Sequence, residues 1–103
     1  MNYNDFVDEL LKNYPRVYPS YPYCGIYVPE EWEDLIRELS KELEEYLKTT
    51  KLKTTFKTAQ VKEKFGQLRF YFECSEDHAY EQIQKIVSKY EAMSSTIQQK
   101  ENK

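Results

Sequence analysis

The chain has 103 residues and a formal net charge of −3, with 32% charged and 16% aromatic side chains, ten tyrosines and only two glycines. That length fits one compact domain; the aromatics exclude a disordered chain, and there is no uncharged run of about 18 residues to span a membrane. Two cysteines, Cys24 and Cys74, are too few for a disulfide scaffold and lack paired metal-ligand spacing. Nothing at the start reads as a signal peptide, so a cytoplasmic location without metal or cofactor is expected.

Phe6, Val7, Leu10, Leu11 and Tyr14 recur at helical spacing until Pro15, predicting a first helix from about Asp5 to Asn13. Three prolines within Pro15–Pro22 then exclude helix. Tyr18, Tyr21, Tyr23 and Tyr27 lie in or beside this stretch, and an edge strand near residues 23–28 is an optional further element. Pro29-Glu30-Glu31 reads as a helix start, with proline at the first position and acids facing the positive end of the dipole. Trp32, Leu35, Ile36, Leu39, Leu43, Tyr46 and Leu47 carry that second helix for nearly five turns.

From Thr54 the period changes to that of strands. Phe65-Gly66 supplies a turn, and Leu68, Phe70 and Phe72 alternate with Gln67, Arg69 and Tyr71. The apolar set faces the core, which sends the polar set to the opposite face. Ser75 is placed to cap a last helix whose stripe is Ala79, Tyr80, Ile83, Ile86, Val87, Tyr90 and Met93. The expected fold is α+β in the order α-α-β-β-α, a hairpin covered on one face by three helices, with residues 1–96 as a single domain and 97–103 as a frayed tail. If all helices cover the Leu68 face, the face of Arg69 and Tyr71 is open.

The net charge hides an asymmetry. Between Lys48 and Arg69 stand six lysines and one arginine against one acid, Glu63, leaving +6 there and −9 over the rest of the chain. Such a segment suits phosphates or an acidic protein surface, whereas the acidic remainder discourages a long nucleic acid. The competing reading is that edge lysines only keep a hairpin soluble. Catalytic patterns are missing: His78 stands alone beside Asp77, the acids Glu30, Glu31, Glu33 and Asp34 spread around their helix, and no Gly-rich phosphate loop occurs. An enzyme is not expected.

The stretch Val61–Tyr71, VKEKFGQLRFY, resembles the signature VKEKFG-x-LRFY of a family of small phage and prophage proteins. The likeness extends over roughly residues 23–96. Upstream, Gly25-Ile26 through Trp32, Leu35, Ile36 and Leu39 is similar to the family's GW-xx-LI-xx-L helix start. Many members end in Cys-x-x-Cys-Gly, where this chain reads Ser94-Ser95-Thr96-Ile97-Gln98-Gln99, so no metal role carries over. The family has no settled activity, and the resemblance implies a phage setting only.

A phage accessory protein without catalytic equipment is expected to act by binding, here as an antagonist of host antiviral defence that sequesters a nucleotide-derived immune signal in the host cytoplasm. The expected ligand-binding residues are Lys62, Lys64, Gln67, Arg69 and Tyr71, with Tyr21, Tyr23 and Trp32 as pocket walls. The cations would neutralise phosphates, Gln67 would bond a base or ribose, and the rings would stack. A homo-oligomer is expected. The alternative partner is a host defence protein, inhibited through the same face or through the acidic second helix. A weak nucleic-acid-binding module comes third, and a DNA mimic built on the acidic helices fourth.

Overall fold

The computed structural model describes residues 3–18, 25–50 and 56–97. In chain order these form α1 (Tyr3–Asn13), β1 (Gly25–Tyr27), a 3-10 turn (Glu30–Trp32), α2 (Glu33–Thr49), β2 (Phe56–Lys64), β3 (Gln67–Cys74) and α3 (Asp77–Ser94). The fold is α+β, and the helices and the hairpin follow the order expected from the periodicity. The short apolar run Gly25-Ile26-Tyr27 does form a strand. It pairs in parallel with β2, so the sheet is mixed, with order β1-β2-β3 and β2 in the middle.

Residue chemistry explains the pairing. Phe65 and Gly66 both hold positive φ, 56° and 79°, which is the signature of a type I′ turn and matches the twist of the strands it joins. One extra residue at Ala59 shifts the register between Thr58 and Gln60. This bulge lets Phe56, Thr58 and Val61 share one face with Phe70, Phe72 and Cys74, which strict alternation along β2 would not allow.

That inner face carries Ile26, Thr58, Val61, Leu68 and Phe70, all buried. Against it pack Phe6, Val7 and Leu10 of α1, Leu35, Ile36, Leu39 and Leu43 of α2, and Ala79, Ile83, Val87 and Tyr90 of α3, in one continuous core. Two buried polar contacts pin the connector after α1 to this core. Thr58 Oγ1 donates to the Val17 carbonyl at 2.6 Å, and the Tyr18 and Ser40 hydroxyls bond at 2.6 Å. Both groups are thereby satisfied where water is absent.

Charged clamps hold the helices together. Arg37 donates from Nε and Nη2 to both carboxylate oxygens of Glu9, at 2.7 and 3.0 Å, tying α2 to α1. This bidentate bond, with Asp34 assisting, raises the pKa of the guanidinium further. Between α2 and α3, Glu42 accepts from Lys89 Nζ at 2.9 Å and from the Tyr90 hydroxyl at 2.8 Å. The Lys89 bond, aided by Tyr90, holds the Glu42 carboxyl below its ordinary value. Burial, then the bond to Glu42, pushes the Tyr90 phenol up to about 12.

The outer edge of β3 is also occupied. The Leu68 N–H donates to Ser94 Oγ at 2.9 Å and the Phe70 N–H to Glu91 Oε2 at 3.0 Å, so α3 caps two of the donors that point away from β2.

Three boundaries differ from expectation. The first helix begins at Tyr3, two residues early. After Pro29 the chain winds a 3-10 turn before α2 starts at Glu33, and this tighter winding brings Trp32, at φ −97° and ψ 1°, wholly into the core. The last helix starts at Asp77 with Glu76 at the capping position, so Ser75 is one residue too early to cap it. The Glu76 carbonyl instead accepts the Tyr80 N–H at 2.8 Å. The tail beyond residue 97, together with Cys24, lies outside the described residues.

Candidate functional site

With the apolar inward side chains committed to the core, the other face of the sheet gathers the residues that alternate with them. On β2 these are Lys57, Gln60, Lys62 and Lys64; on β3, Gln67, Arg69, Tyr71 and Glu73; on β1, Gly25 and Tyr27. Strand pairing sets them in rows across the sheet. Lys64 lies opposite Gln67; Lys62 lies between Tyr27 on one side and Arg69 on the other; Gln60 lies between Gly25 and Tyr71; Lys57 lies opposite Glu73. Four cations therefore share this face with Glu73 as the one acid among its described residues. Glu63, at the hairpin end, is engaged locally: its carboxylate accepts the Gly66 N–H at 2.6 Å.

The aromatic groups here are exposed. Tyr27 is 61% accessible, Tyr71 43%, and Phe65, at the tip of the turn, 90%. Lys62 Nζ sits 5.7 Å from the centre of the Tyr71 ring and Lys64 Nζ 5.8 Å from that of Phe65. Cations held beside ring faces leave donors available to an anion while the rings offer a stacking surface.

Of the residues singled out in the sequence, Lys62, Lys64, Gln67, Arg69 and Tyr71 come together on this face. Trp32 does not join them. Its indole is fully buried on the opposite side of the sheet, and its Nε1 has no acceptor there, so it forms core rather than a pocket wall. Tyr21 and Tyr23 lie outside the described residues. Tyr27, Lys57, Gln60 and Glu73 share the face, and none of them was among the expected binding residues. The signal for Tyr27 was the triplet Gly25-Ile26-Tyr27, in which a buried Ile26 turns both neighbours outward.

Among the described residues, the helical side of the molecule carries two open grooves. One, of about 460 Å³, runs along α3 past Tyr80, Gln84 and Ser88; the other, of about 390 Å³, lies between Glu38, Lys41, Glu45 and Tyr90. Neither is lined by residues of the basic face. Among the described residues no helix is long and apolar enough to cross a membrane. No family model, curated protein or solved structure matches this chain.

Proposed function

We propose that the open sheet face captures a nucleotide-derived molecule, and that in the phage setting implied by the VKEKFG-x-LRFY resemblance this capture removes a host defence signal. The observation that carries the reading is the row containing Lys62 and Arg69, with exposed Tyr27 and Tyr71 at its flanks. Phosphates need the cations, bases need the rings, and both are present within one or two residue spacings. Gln60 and Gln67 add amide donors and acceptors for a base edge or a ribose hydroxyl. The reading is one of binding alone, in which the cations, amides and phenols of the face hold the ligand without making or breaking a bond.

Calorimetric titration of the full chain with AMP, ADP-ribose and cyclic di-AMP tests it. Saturable binding of at least one, lost in the double variant Lys62→Ala/Arg69→Ala at unchanged melting temperature, is the expected result. A folded protein that binds none of the three overturns the reading.

A second reading rests on Phe65. A bulky side chain at positive φ and 90% exposure is unfavourable twice over, and such a residue suits an anchor that inserts into a partner protein. The same purified chain, used as bait in host lysate, would then retain one stoichiometric protein, and Phe65→Ala would release it.

A further inference from the structure

The two exposed tyrosines are held in different ways, and the difference bears on what the face accepts. A Cβ placed on Gly25 would lie only 2.7 Å from Cε2 of Tyr27, with two more ring atoms at 3.4 and 3.5 Å. The Tyr27 ring therefore lies back along its own strand, in space that exists because residue 25 lacks a side chain. Gly25 is in register with Gln60, and Gln60 with Tyr71. The Tyr27 ring thus reaches into the row whose far end is held by Tyr71, two strand spacings or about 10 Å across the sheet.

The space between them is polar and cationic. Gln60 lies directly between the rings, and the next row brings Lys62 and Arg69 alongside, with Lys62 Nζ 5.7 Å from the Tyr71 ring centre. One nucleotide needs one ring and one cation pair. Here Lys62 stands on the central strand between a tyrosine of β1 and a tyrosine of β3, with Arg69 beside Tyr71 on β3, so the face offers a mononucleotide a second ring on the far side of its cation. The pattern suits a molecule with an aromatic base at each end and a phosphate in the middle. A long strand would need the platform to continue, yet the chain outside residues 48–69 carries a net −9, which repels further phosphates.

Resting on the nucleotide reading above, we infer that the ligand is a dinucleotide, its bases stacked on Tyr27 and Tyr71 and its linking phosphate between them on Lys62 and Arg69. Gly25 is a positioning residue for this site, since its hydrogen is what lets the Tyr27 ring lie in the row.

Calorimetry on the full chain with 5′-AMP, the linear dinucleotide pApA and a ten-residue oligoadenylate tests the inference. A second stacked base should make pApA bind about tenfold or more tighter than AMP. Tyr27→Ala should bring pApA to within about twofold of AMP, and Gly25→Ala should do the same although both tyrosines remain, because the new methyl displaces the ring. Tyr27→Phe, which keeps the ring, should retain the preference. Circular dichroism melting confirms that each variant is folded. Equal binding of AMP and pApA by the unmodified chain, or an unaltered preference in Tyr27→Ala, overturns the dinucleotide inference and leaves the nucleotide reading standing. Binding of neither AMP nor pApA overturns the dinucleotide inference, and the nucleotide reading falls with it if ADP-ribose and cyclic di-AMP are not bound either. Oligoadenylate bound more than tenfold tighter than pApA overturns the inference in favour of single-stranded nucleic acid.

Discussion

Phe65→Asn perturbs the hairpin turn at the point where sequence and backbone disagree. Phe65 holds φ 56°, a region that costs an L-residue with a bulky side chain about 1–2 kcal/mol and that asparagine enters several-fold more readily. At 90% exposure the phenyl ring contributes almost nothing by burial. Its one described contact is with Lys64 Nζ at 5.8 Å, worth about 0.5 kcal/mol at an exposed site. Relief of the backbone strain exceeds that loss, so the substitution should stabilise the fold by about 0.5–1 kcal/mol, a rise in melting temperature of about 2–6 °C for a chain this size. Thermal melts followed at 222 nm measure it. Phe65→Ala is the control: it removes the ring but keeps a β-carbon at positive φ, and should move stability by no more than about 0.5 kcal/mol. A melting temperature that falls in Phe65→Asn, or that rises equally in both variants, refutes the assignment of strain to residue 65. If Phe65 also anchors a partner, the more stable variant is the one that binds worse.

Ser94→Ala leaves the buried Leu68 N–H without its acceptor and should destabilise the fold by about 1–3 kcal/mol in urea titrations; an effect under about 0.3 kcal/mol would mean that the bond is not formed in solution. The Glu42–Lys89–Tyr90 cluster makes stability depend on pH at both extremes. The lowered Glu42 carboxyl adds stability that is present above its unfolded value near 4.5 and is lost as pH falls through the folded one. The raised Tyr90 phenol adds stability that is present below its unfolded value near 10 and is lost as pH rises through about 12. Chemical denaturation between pH 9 and 12 should therefore show a decline that is shallower in Tyr90→Phe, and identical slopes would refute the assignment. Trp32, the chain's single tryptophan, should emit in the blue and resist acrylamide quenching in the native state, with no response to nucleotides that bind the open face. Strong quenching would place it at the surface.

Much of the architecture was legible because it rests on long periodic segments. α2 and α3 carry apolar stripes over four turns or more, and Leu68-Arg69-Phe70-Tyr71-Phe72 alternates without interruption, so the outward direction of Gln67, Arg69 and Tyr71 followed from the chain alone. Phe65-Gly66 was legible as a turn through its glycine, whereas the positive φ of Phe65 was not. What stayed hidden depends on contacts distant in sequence. β1 is three residues long, and its parallel pairing with β2 joins segments some 35 positions apart. The bulge at Ala59 has no local signature, yet it decides which side Gln60 and Lys62 face. Trp32 lies on the same helical stripe as Leu35 and Leu39, and the stripe alone leaves open how deep it goes. The 3-10 turn resolves that by burying it completely. Tyr27 gains its place only once Gly25 is known to be its neighbour on a strand.

The capping of β3 by Ser94 and Glu91 bears on how the chain survives its own synthesis. Leu68–Phe72 combines high β-propensity with strong hydrophobicity, the composition of a segment prone to intermolecular stacking. In the folded chain two donors of its free edge, the Leu68 and Phe70 N–H groups, are already held by side chains from the far end of α3, while the opposite edge of the sheet offers a strand of only three residues. Those side chains lie more than twenty residues further along, so the edge is unguarded until the last helix has been made and has docked. Substitutions at Ser94 or Glu91 should consequently lower the yield of soluble protein and of refolding by more than their effect on equilibrium stability implies, with the losses growing with protein concentration.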